Sequence, residues 1–232
     1  MIVESGADGA RPRGQGGGPS AAEAAQRAVA LFAVYGRALL ELLVVEDPST
    51  DRAEAERRRV RMVAWMEREG LLPFLDQSAI GLVTSAVGRA VVAEITGAMG
   101  ALETSATIAF ALGLLDLGPV DRYCDAAALA DVLPVPGEPT RAFVEECRFR
   151  NEDAIAAERR RTDRWSRRAE SALANRPLAA PGPLSGTGRD GASDVFEIGG
   201  VGIDDLPEDV VERIAVVVGT RALAFAWLAG EA

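Results

Sequence analysis

A small group of arginine, glutamate and aspartate residues could bind a charged ligand. Arg148 and Arg150 flank Phe149 at a predicted junction between two helices, and guanidinium groups form paired hydrogen bonds with carboxylates and phosphates. Arginines at such junctions more often fix loops by donating to helix C-terminal carbonyls or to buried acids. We therefore expect a polar cluster, either structural or ligand-binding, formed by Glu103, Asp125, Arg148, Arg150 and Arg221.

The composition excludes several kinds of catalysis. The 232-residue chain contains no histidine, and all 25 of its basic residues are arginine. A Schiff-base lysine, a histidine general base and a nucleophile paired with histidine are therefore excluded. Because a di-metal site in a helical bundle normally uses Glu-x-x-His pairs, no metal and no cofactor is predicted. A Mg²⁺ site made only of carboxylates stays open as an alternative.

Two further motifs are weak evidence for a functional site. Gly186–Gly191 matches the Gly-x-Gly-x-x-Gly fingerprint of dinucleotide binding, but that motif requires a strand before it and a helix after it. Here Pro181-Gly-Pro183 precedes the match, so a flexible loop is predicted. Cys124 would be reactive only if an arginine or a helix N-terminus lowered the pKa of its thiol. We expect Cys124 and Cys147 to be reduced structural cysteines in a cytoplasmic protein.

Two arginine-rich segments, 57–61 and 159–168, could bind phosphates. Acids such as Glu54 and Glu158 lie beside these segments, and the net charge of −10 opposes binding to nucleic acid. The pattern predicts solvated helix faces with pairs between residues four apart. The alternative is a docking face for a protein partner, made by Arg57, Arg58, Arg61, Arg160, Arg161, Arg164 and Arg168.

The fold class follows from hydrophobic periodicity and from cap residues. Hydrophobic residues make up 48% of the chain and aromatic residues 5%, a composition that favours closely packed helices. We predict an all-α, single-domain multi-helix bundle over residues 21–232, preceded by a disordered tail at residues 1–20. Ser20 with Glu23 and Asp205 with Glu208 are predicted capping boxes. A long Pro/Gly-rich loop, 176–204, is predicted before the C-terminal helix.

The segment from Ser78 to Leu115 is nearly uncharged, which predicts a central pair of buried helices that break near Gly97–Gly100. The arginine-bearing helices are predicted to surround this pair. The first helix is expected to bury one stripe of large residues, and the second a short apolar face. These residues are Leu31, Phe32, Tyr35, Leu39 and Leu43 for the first, and Val60, Val63 and Ala64 for the second.

Six short motifs follow one another along the chain: Ala64-Trp-Met-Glu-Arg-Glu-Gly-Leu71, Phe110-Ala-Leu-Gly-Leu-Leu115, Cys124-Asp125, Leu133-Pro134, Arg148-Phe-Arg150 and Arg221-Ala-Leu-Ala-Phe-Ala-Trp227-Leu228. In this order and spacing the chain resembles the bacterial domain-of-unknown-function family 4272 over roughly Arg27 to Leu228. It departs from that family in its long late helix, where Arg164-Trp-Ser-Arg-Arg-Ala169 lacks the family's histidine, and at Thr220-Arg221, which replaces a Glu-Arg pair. The resemblance implies a shared helical fold and no particular reaction.

Two functions are consistent with these residues. The first is a non-enzymatic interaction or accessory protein, such as an adaptor or an immunity-like protein. Its partner would be a protein, either another chain or a second copy in a homodimer, and not nucleic acid or a membrane. The second is a small-ligand binder or a histidine-independent enzyme that uses the Arg/carboxylate cluster. The sequence favours the first, since it contains no convincing catalytic constellation.

Overall fold

A computed structural model describes residues 17–46, 49, 51–175 and 196–231. Most of the predicted N-terminal tail and the Gly186–Gly191 motif lie outside these residues. The predicted all-α class is confirmed, because helices dominate the described chain and its one sheet has two short strands. The elements are α1 (Ala21–Glu46), α2 (Arg52–Arg68), α3 (Gln77–Thr84), α4 (Val92–Ala111), α5 (Ala126–Ala130), α6 (Arg141–Glu146), α7 (Glu152–Ala174), β1 (Glu197–Ile198), β2 (Val201–Gly202) and α8 (Glu208–Leu228).

The centre of the core is the contact between α1 and α4. The buried face of α1 is made mainly of small residues, including Ala24, Ala28 and Ala38, rather than the predicted stripe of large residues. Small side chains allow the two helix backbones to approach closely, and the Ser105 hydroxyl donates a 2.8 Å hydrogen bond to the Ala28 carbonyl. The prediction for Leu43 was wrong, because its side chain is half exposed.

The predicted central helix pair is corrected in two respects. The uncharged segment forms α3 and α4, but the break lies between Thr84 and Val92, and α4 continues through Gly97 and Gly100. Its second half, from Ala98 onward, is largely buried, whereas most of its first turns are exposed. A glycine inside a helix destabilises it by only ~0.5–1 kcal/mol relative to alanine, so the two glycines do not end α4.

Helix α2 presents a different face to the core from the one predicted. Asp51 caps it by accepting from the Ala53 amide, and Gly70 follows it with a φ of 67°. Ala55, Met62, Trp65 and Met66 are buried, whereas Val60 and Ala64 are exposed. The prediction was wrong because it placed the apolar face on the Val60 side, although the larger Trp65 and Met66 bury more apolar surface.

A second, smaller core joins α7 to α8. Trp165 packs edge-on against Phe196, with ring centroids 5.0 Å apart. The described part of the predicted 176–204 loop, from Phe196 onward, forms the β1–β2 hairpin and the start of a 3-10 turn at Ile203–Asp205. The predicted Asp205–Glu208 capping box was wrong, since Pro207 is the N-cap of α8. The Ser20–Glu23 box was correct, with both reciprocal bonds present.

Among the described residues, α1 is long and apolar enough to cross a membrane by length and composition. A central helix of a soluble protein and a signal sequence have the same two properties. In this fold the small-residue face of α1 packs against α4. Two charged side chains of α1, Arg37 and Glu41, are also buried.

Candidate partner-docking site

The predicted polar cluster is built around one buried ion pair. Arg221 of α8 and Glu103 of α4 are both 0% exposed, and Arg221 Nε donates to Glu103 Oε1 at 2.6 Å. The second carboxylate oxygen, Glu103 Oε2, accepts from the Cys124 amide at 2.8 Å, and Arg221 Nη1 donates to the Gly118 carbonyl at 3.0 Å. Arg221 Nη2 has no hydrogen-bond partner in the described chain. The pair therefore ties α4 and α8 to the segment between Gly118 and Cys124.

The other three predicted members have separate roles. Asp125 caps α5 by accepting from the Ala127 amide, and Arg148 donates to the carbonyls of Glu145 and Cys147. Arg150 stacks on Phe110 at 4.3 Å, pairs with Asp116 at 2.8 Å and donates to the Leu115 carbonyl. The structure thus joins Glu103 and Arg221 directly. Arg148 and Arg150 lie in the connection between α6 and α7, where Arg148 binds the end of α6 and Arg150 binds the segment that follows α4.

A second buried ion pair was not predicted. Arg37 and Glu41 lie four residues apart on α1, and Arg37 Nη2 donates to Glu41 Oε1 at 2.6 Å. Glu41 Oε2 accepts from the Gly88 amide at 2.7 Å, and Arg37 also donates to the Ser85 carbonyl. An i,i+4 pair inside a stretch of α1, residues 28–45, that is otherwise uncharged was the available sequence signal. The pair holds the connection between α3 and α4 against α1.

The thiol of Cys124 is not activated. Burial, and to a smaller extent the nearby Glu103 carboxylate, raise its pKa to about 11, against a smaller opposing effect of Arg221. Burial also raises the pKa of the Cys147 thiol, and both cysteines are unpaired. Because the thiolate is the nucleophile, the environment of Cys124 favours a structural role.

The arginines of the predicted docking face divide between two parts of the fold. Arg57, Arg58 and Arg61 lie on α2, which packs on α1 and α3, whereas the remaining four lie on α7, which packs on α8. On α7, Arg161 pairs with Glu158 and Arg168 pairs with Asp204. The seven arginines therefore form two separate surfaces instead of the single docking face that the sequence suggested. The surface on α2 borders a groove. The other two members of the α7 surface, Arg160 and Arg164, are exposed.

Three arginines of α2 share one carboxylate. Glu54 accepts from Arg57 Nε at 2.9 Å, from Arg58 Nε at 3.1 Å and from Arg61 Nη2 at 3.1 Å. Arg57 also lies 3.4 Å from Asp51. Three guanidinium charges therefore meet two carboxylates, which leaves local positive charge on a protein whose net charge is −10.

The sharing of Glu54 gives a testable titration. Hydrogen bonds from Arg57, Arg58 and Arg61 lower the pKa of Glu54 from 4.5 to about 2. A carboxylate whose pKa is lowered by folding stabilises the folded state above its unfolded pKa, and this contribution is lost as the pH falls from about 4.5 toward 2. We expect ¹³C NMR of the Glu54 carboxyl carbon to show ionisation persisting below pH 3, and Arg57→Gln to raise the midpoint. A Glu54 midpoint near 4.5 in the unmodified chain would contradict the shared hydrogen bonds.

A groove of about 610 Å³ lies beside these arginines, between α1, α2 and the turn at Pro136–Gly137. The Trp65 indole holds that turn in place by donating to the Glu138 carbonyl at 2.7 Å. We call this site the arginine-rimmed groove. Its apolar base is made by Gly36, Leu40, Met62 and Trp65, and its rim by Arg58, Arg61 and Arg68.

The apolar surface continues beyond the groove. A shallower depression of about 240 Å³ shares Leu40 and Arg58 with it and adds Leu43, which is half exposed. Gly36, Leu40 and Leu43 follow the three- and four-residue spacing of one helix face. The two depressions together give an elongated apolar surface. Exposed guanidinium groups border it along α2, and Asp51 and Glu54 line its shallower end.

Gly36 keeps the base of this groove open. It lies inside α1, and no heavy atom of the described chain lies within 4 Å of the position that a Cβ would occupy. Internal packing therefore does not require glycine here, although a helix-interior glycine destabilises the helix by ~0.5–1 kcal/mol relative to alanine. The missing side chain leaves room for an external group.

Comparison with known proteins supplies no relative for this chain. No family model, no curated protein and no solved structure matches it. The resemblance to family 4272 therefore stays a prediction. The geometry of the described residues carries the functional argument.

Proposed function

We propose that this protein is a non-enzymatic interaction protein that binds an acidic, amphipathic segment of a partner protein in the arginine-rimmed groove. The observation that carries the proposal is the row of guanidinium groups along an apolar groove, where Arg57, Arg58 and Arg61 share the single carboxylate of Glu54. Apolar side chains of the partner would pack on Leu40, Met62 and Trp65, while its carboxylates would pair with Arg58, Arg61 and Arg68.

The charge pattern favours an acidic protein segment over nucleic acid. Glu54 and Asp51 lie at one end of the arginine row, and the chain as a whole repels a long polyanion. A short acidic segment contacts the arginines alone, within the ~8–10 Å range over which surface charges act at physiological salt. The apolar base adds a requirement for hydrophobic side chains, which a phosphate backbone lacks.

A helix is the conformation that fits the groove best. The base follows helical spacing along α1, and a helix laid into an apolar groove contacts it with residues three and four apart. The rim arginines are also spaced along α2 so that Arg61 and Arg68 are seven residues apart, on the same side of the helix. A partner helix with carboxylates two turns apart would meet both.

The proposal places the protein in the cytoplasm, which agrees with its two unpaired cysteines. It also assigns no reaction to the buried Glu103–Arg221 pair. Both carboxylate oxygens of Glu103 already accept hydrogen bonds from protein groups. The pair is accordingly given a structural role.

A peptide-display selection tests the proposal. Random peptides are selected on the unmodified protein and counter-selected on Arg58→Glu/Arg61→Glu. We expect enriched peptides to combine large apolar residues with Asp or Glu at helical spacing. In fluorescence anisotropy the double variant should bind them at least about tenfold more weakly, equivalent to ~1.4 kcal/mol, and added salt should weaken binding to the unmodified protein.

The matched control is Arg160→Glu/Arg161→Glu, which makes the same charge change on α7. We expect this control to bind like the unmodified protein, and circular dichroism to show all three proteins folded. Enrichment of peptides without acidic residues, or equal affinity for both double variants, would overturn the proposal. Gly36→Gln adds an independent variant, because it fills the base without changing the charge and should also weaken binding.

A further inference from the structure

A second groove lies on another side of the molecule, between α1, α3, α4 and α8, with a volume of about 400 Å³. We call it the glycine-lined groove. Its α4 wall contains Gly97 and Gly100, and its α8 wall contains Leu223 and Trp227. Leu31 of α1 and Leu82 of α3 add to its apolar lining, and three charged residues, Arg27, Asp76 and Glu94, also line it.

The α4 wall forms a hollow. No heavy atom of the described chain lies within 4 Å of the Cβ positions at Gly97 and Gly100. Each helix-interior glycine destabilises α4 by ~0.5–1 kcal/mol relative to alanine, and packing inside the chain does not require either one. The two missing side chains therefore open a recess toward the outside.

The α8 wall forms a projection beside that recess. Leu223 is 71% exposed and Val216, two turns before it on the same side of α8, is 50% exposed. Grouped, exposed apolar side chains of this size mark interaction surfaces.

We propose that the glycine-lined groove is the interface of a two-fold symmetric dimer, in which Leu223 of each chain packs into the recess at Gly97 and Gly100 of the partner subunit. In a two-fold interface the same patch meets itself, so it must carry both a projection and a matching recess. This face has both, side by side.

The charge distribution supports a second copy as the occupant. Two chains of net charge −10 repel one another, so they associate most favourably through a face with few charges. The exposed residues of α4 include one charged side chain, Glu94, which is engaged with the Val91 amide, and the only charged side chain on α8 between Ile214 and Leu228, Arg221, is buried. Asp76 caps α3 at the edge, and Arg27 stacks on Trp227 at 4.4 Å.

Analytical ultracentrifugation of the full chain tests this inference. We expect a dimer dissociation constant in the micromolar range. At about 100 µM, well above that constant, the unmodified protein should sediment at twice the 24.4 kDa chain mass. Leu223→Asp should raise the dimer dissociation constant by about 30-fold or more, since it places an unpaired charge at the centre of the interface. Gly97→Gln should do the same by filling the recess.

Gly97→Gln also distinguishes a loss of association from a loss of folding. The new side chain meets open space, and glutamine favours a helix more than glycine does, so the substitution should not destabilise the folded chain. Val201→Asp, an equally drastic change at an exposed position of β2, is the control and should leave the dimer intact. A monomeric unmodified protein, or a dimer that persists in Leu223→Asp and Gly97→Gln, would overturn the inference. Salt should strengthen this dimer by screening the repulsion, whereas it should weaken binding in the arginine-rimmed groove, so the two proposals fail independently.

Discussion

Replacing Arg221 with methionine is expected to lower the free energy of unfolding by about 3–5 kcal/mol. The substitution keeps most of the apolar stem but leaves the Glu103 carboxylate, which is 0% exposed, without its cation. An uncompensated buried charge is far less favourable than a buried pair. The Gly118 carbonyl also loses the hydrogen bond from Arg221 Nη1.

Urea denaturation followed by circular dichroism measures this change. Arg161→Met is the matched control, because Arg161 pairs with Glu158 at 3.1 Å on the exposed side of α7, and surface pairs contribute only ~0–1 kcal/mol. Adding Glu103→Gln to Arg221→Met should recover part of the loss, since it removes the unpaired charge and keeps an acceptor for the Cys124 amide. Equal effects of Arg221→Met and Arg161→Met would show that the pair does not stabilise the fold.

Replacing Glu41 with glutamine is expected to lower the free energy of unfolding by about 3 kcal/mol. The amide is nearly the same size and can still accept from the Gly88 backbone, but the buried Arg37 guanidinium loses its negative partner. Arg37 Nε and Nη1 have no hydrogen-bond partner in the described chain, so Glu41 and the Ser85 carbonyl provide its compensation. The loss should therefore exceed that of an ordinary hydrogen bond.

The same denaturation experiment applies, with Glu145→Gln as control. Glu145 pairs with Arg141 four residues away, as Glu41 does with Arg37, but both side chains are exposed. We expect the control to change stability by less than ~0.5 kcal/mol. A Glu41→Gln protein as stable as the control would mean that the buried guanidinium does not need its carboxylate.

The helical class could be predicted because it depends on local signals. The Ser20–Glu23 box is formed as expected, since a cap depends on residues two or three positions away. The break inside the uncharged segment could not be placed correctly. Gly97 and Gly100 looked like helix breakers, whereas the true connection at residues 85–91 contains a single glycine, Gly88, with a φ of 82°.

Burial could be predicted less well than helix position. On α1 the large residues were expected inside, but close packing against α4 selects the alanine face and leaves Leu43 half exposed. The burial of the Arg37–Glu41 pair was missed because the Ser85 carbonyl and the Gly88 amide, which cover it, meet it only in three dimensions. Tertiary packing decides which face of a nearly uniformly apolar helix turns inward.

In the candidate sites, too, the residue types could be predicted from the sequence, whereas their tertiary contacts could not. The pairing of Glu103 with Arg221, 118 residues apart in sequence, was anticipated only as membership of one cluster. Arg150 was placed in that cluster, but it stacks on Phe110 and pairs with Asp116 instead. The arginines of α2 were named as part of a docking face only as the alternative to solvated helix faces. The apolar base beside them required the fold, because α1 and α2 form it together.

The most direct test of the docking claim uses ¹⁹F NMR of protein labelled with fluorotryptophan. The chain has three tryptophans, and each reports on a different place: Trp65 on the arginine-rimmed groove, Trp227 on the glycine-lined groove and Trp165 on the α7–α8 core. We predict that an acidic amphipathic peptide shifts the Trp65 resonance and leaves the Trp165 and Trp227 resonances in place. Saturating binding that leaves Trp65 unchanged, or that shifts Trp227 instead, would contradict a docking site on α1 and α2.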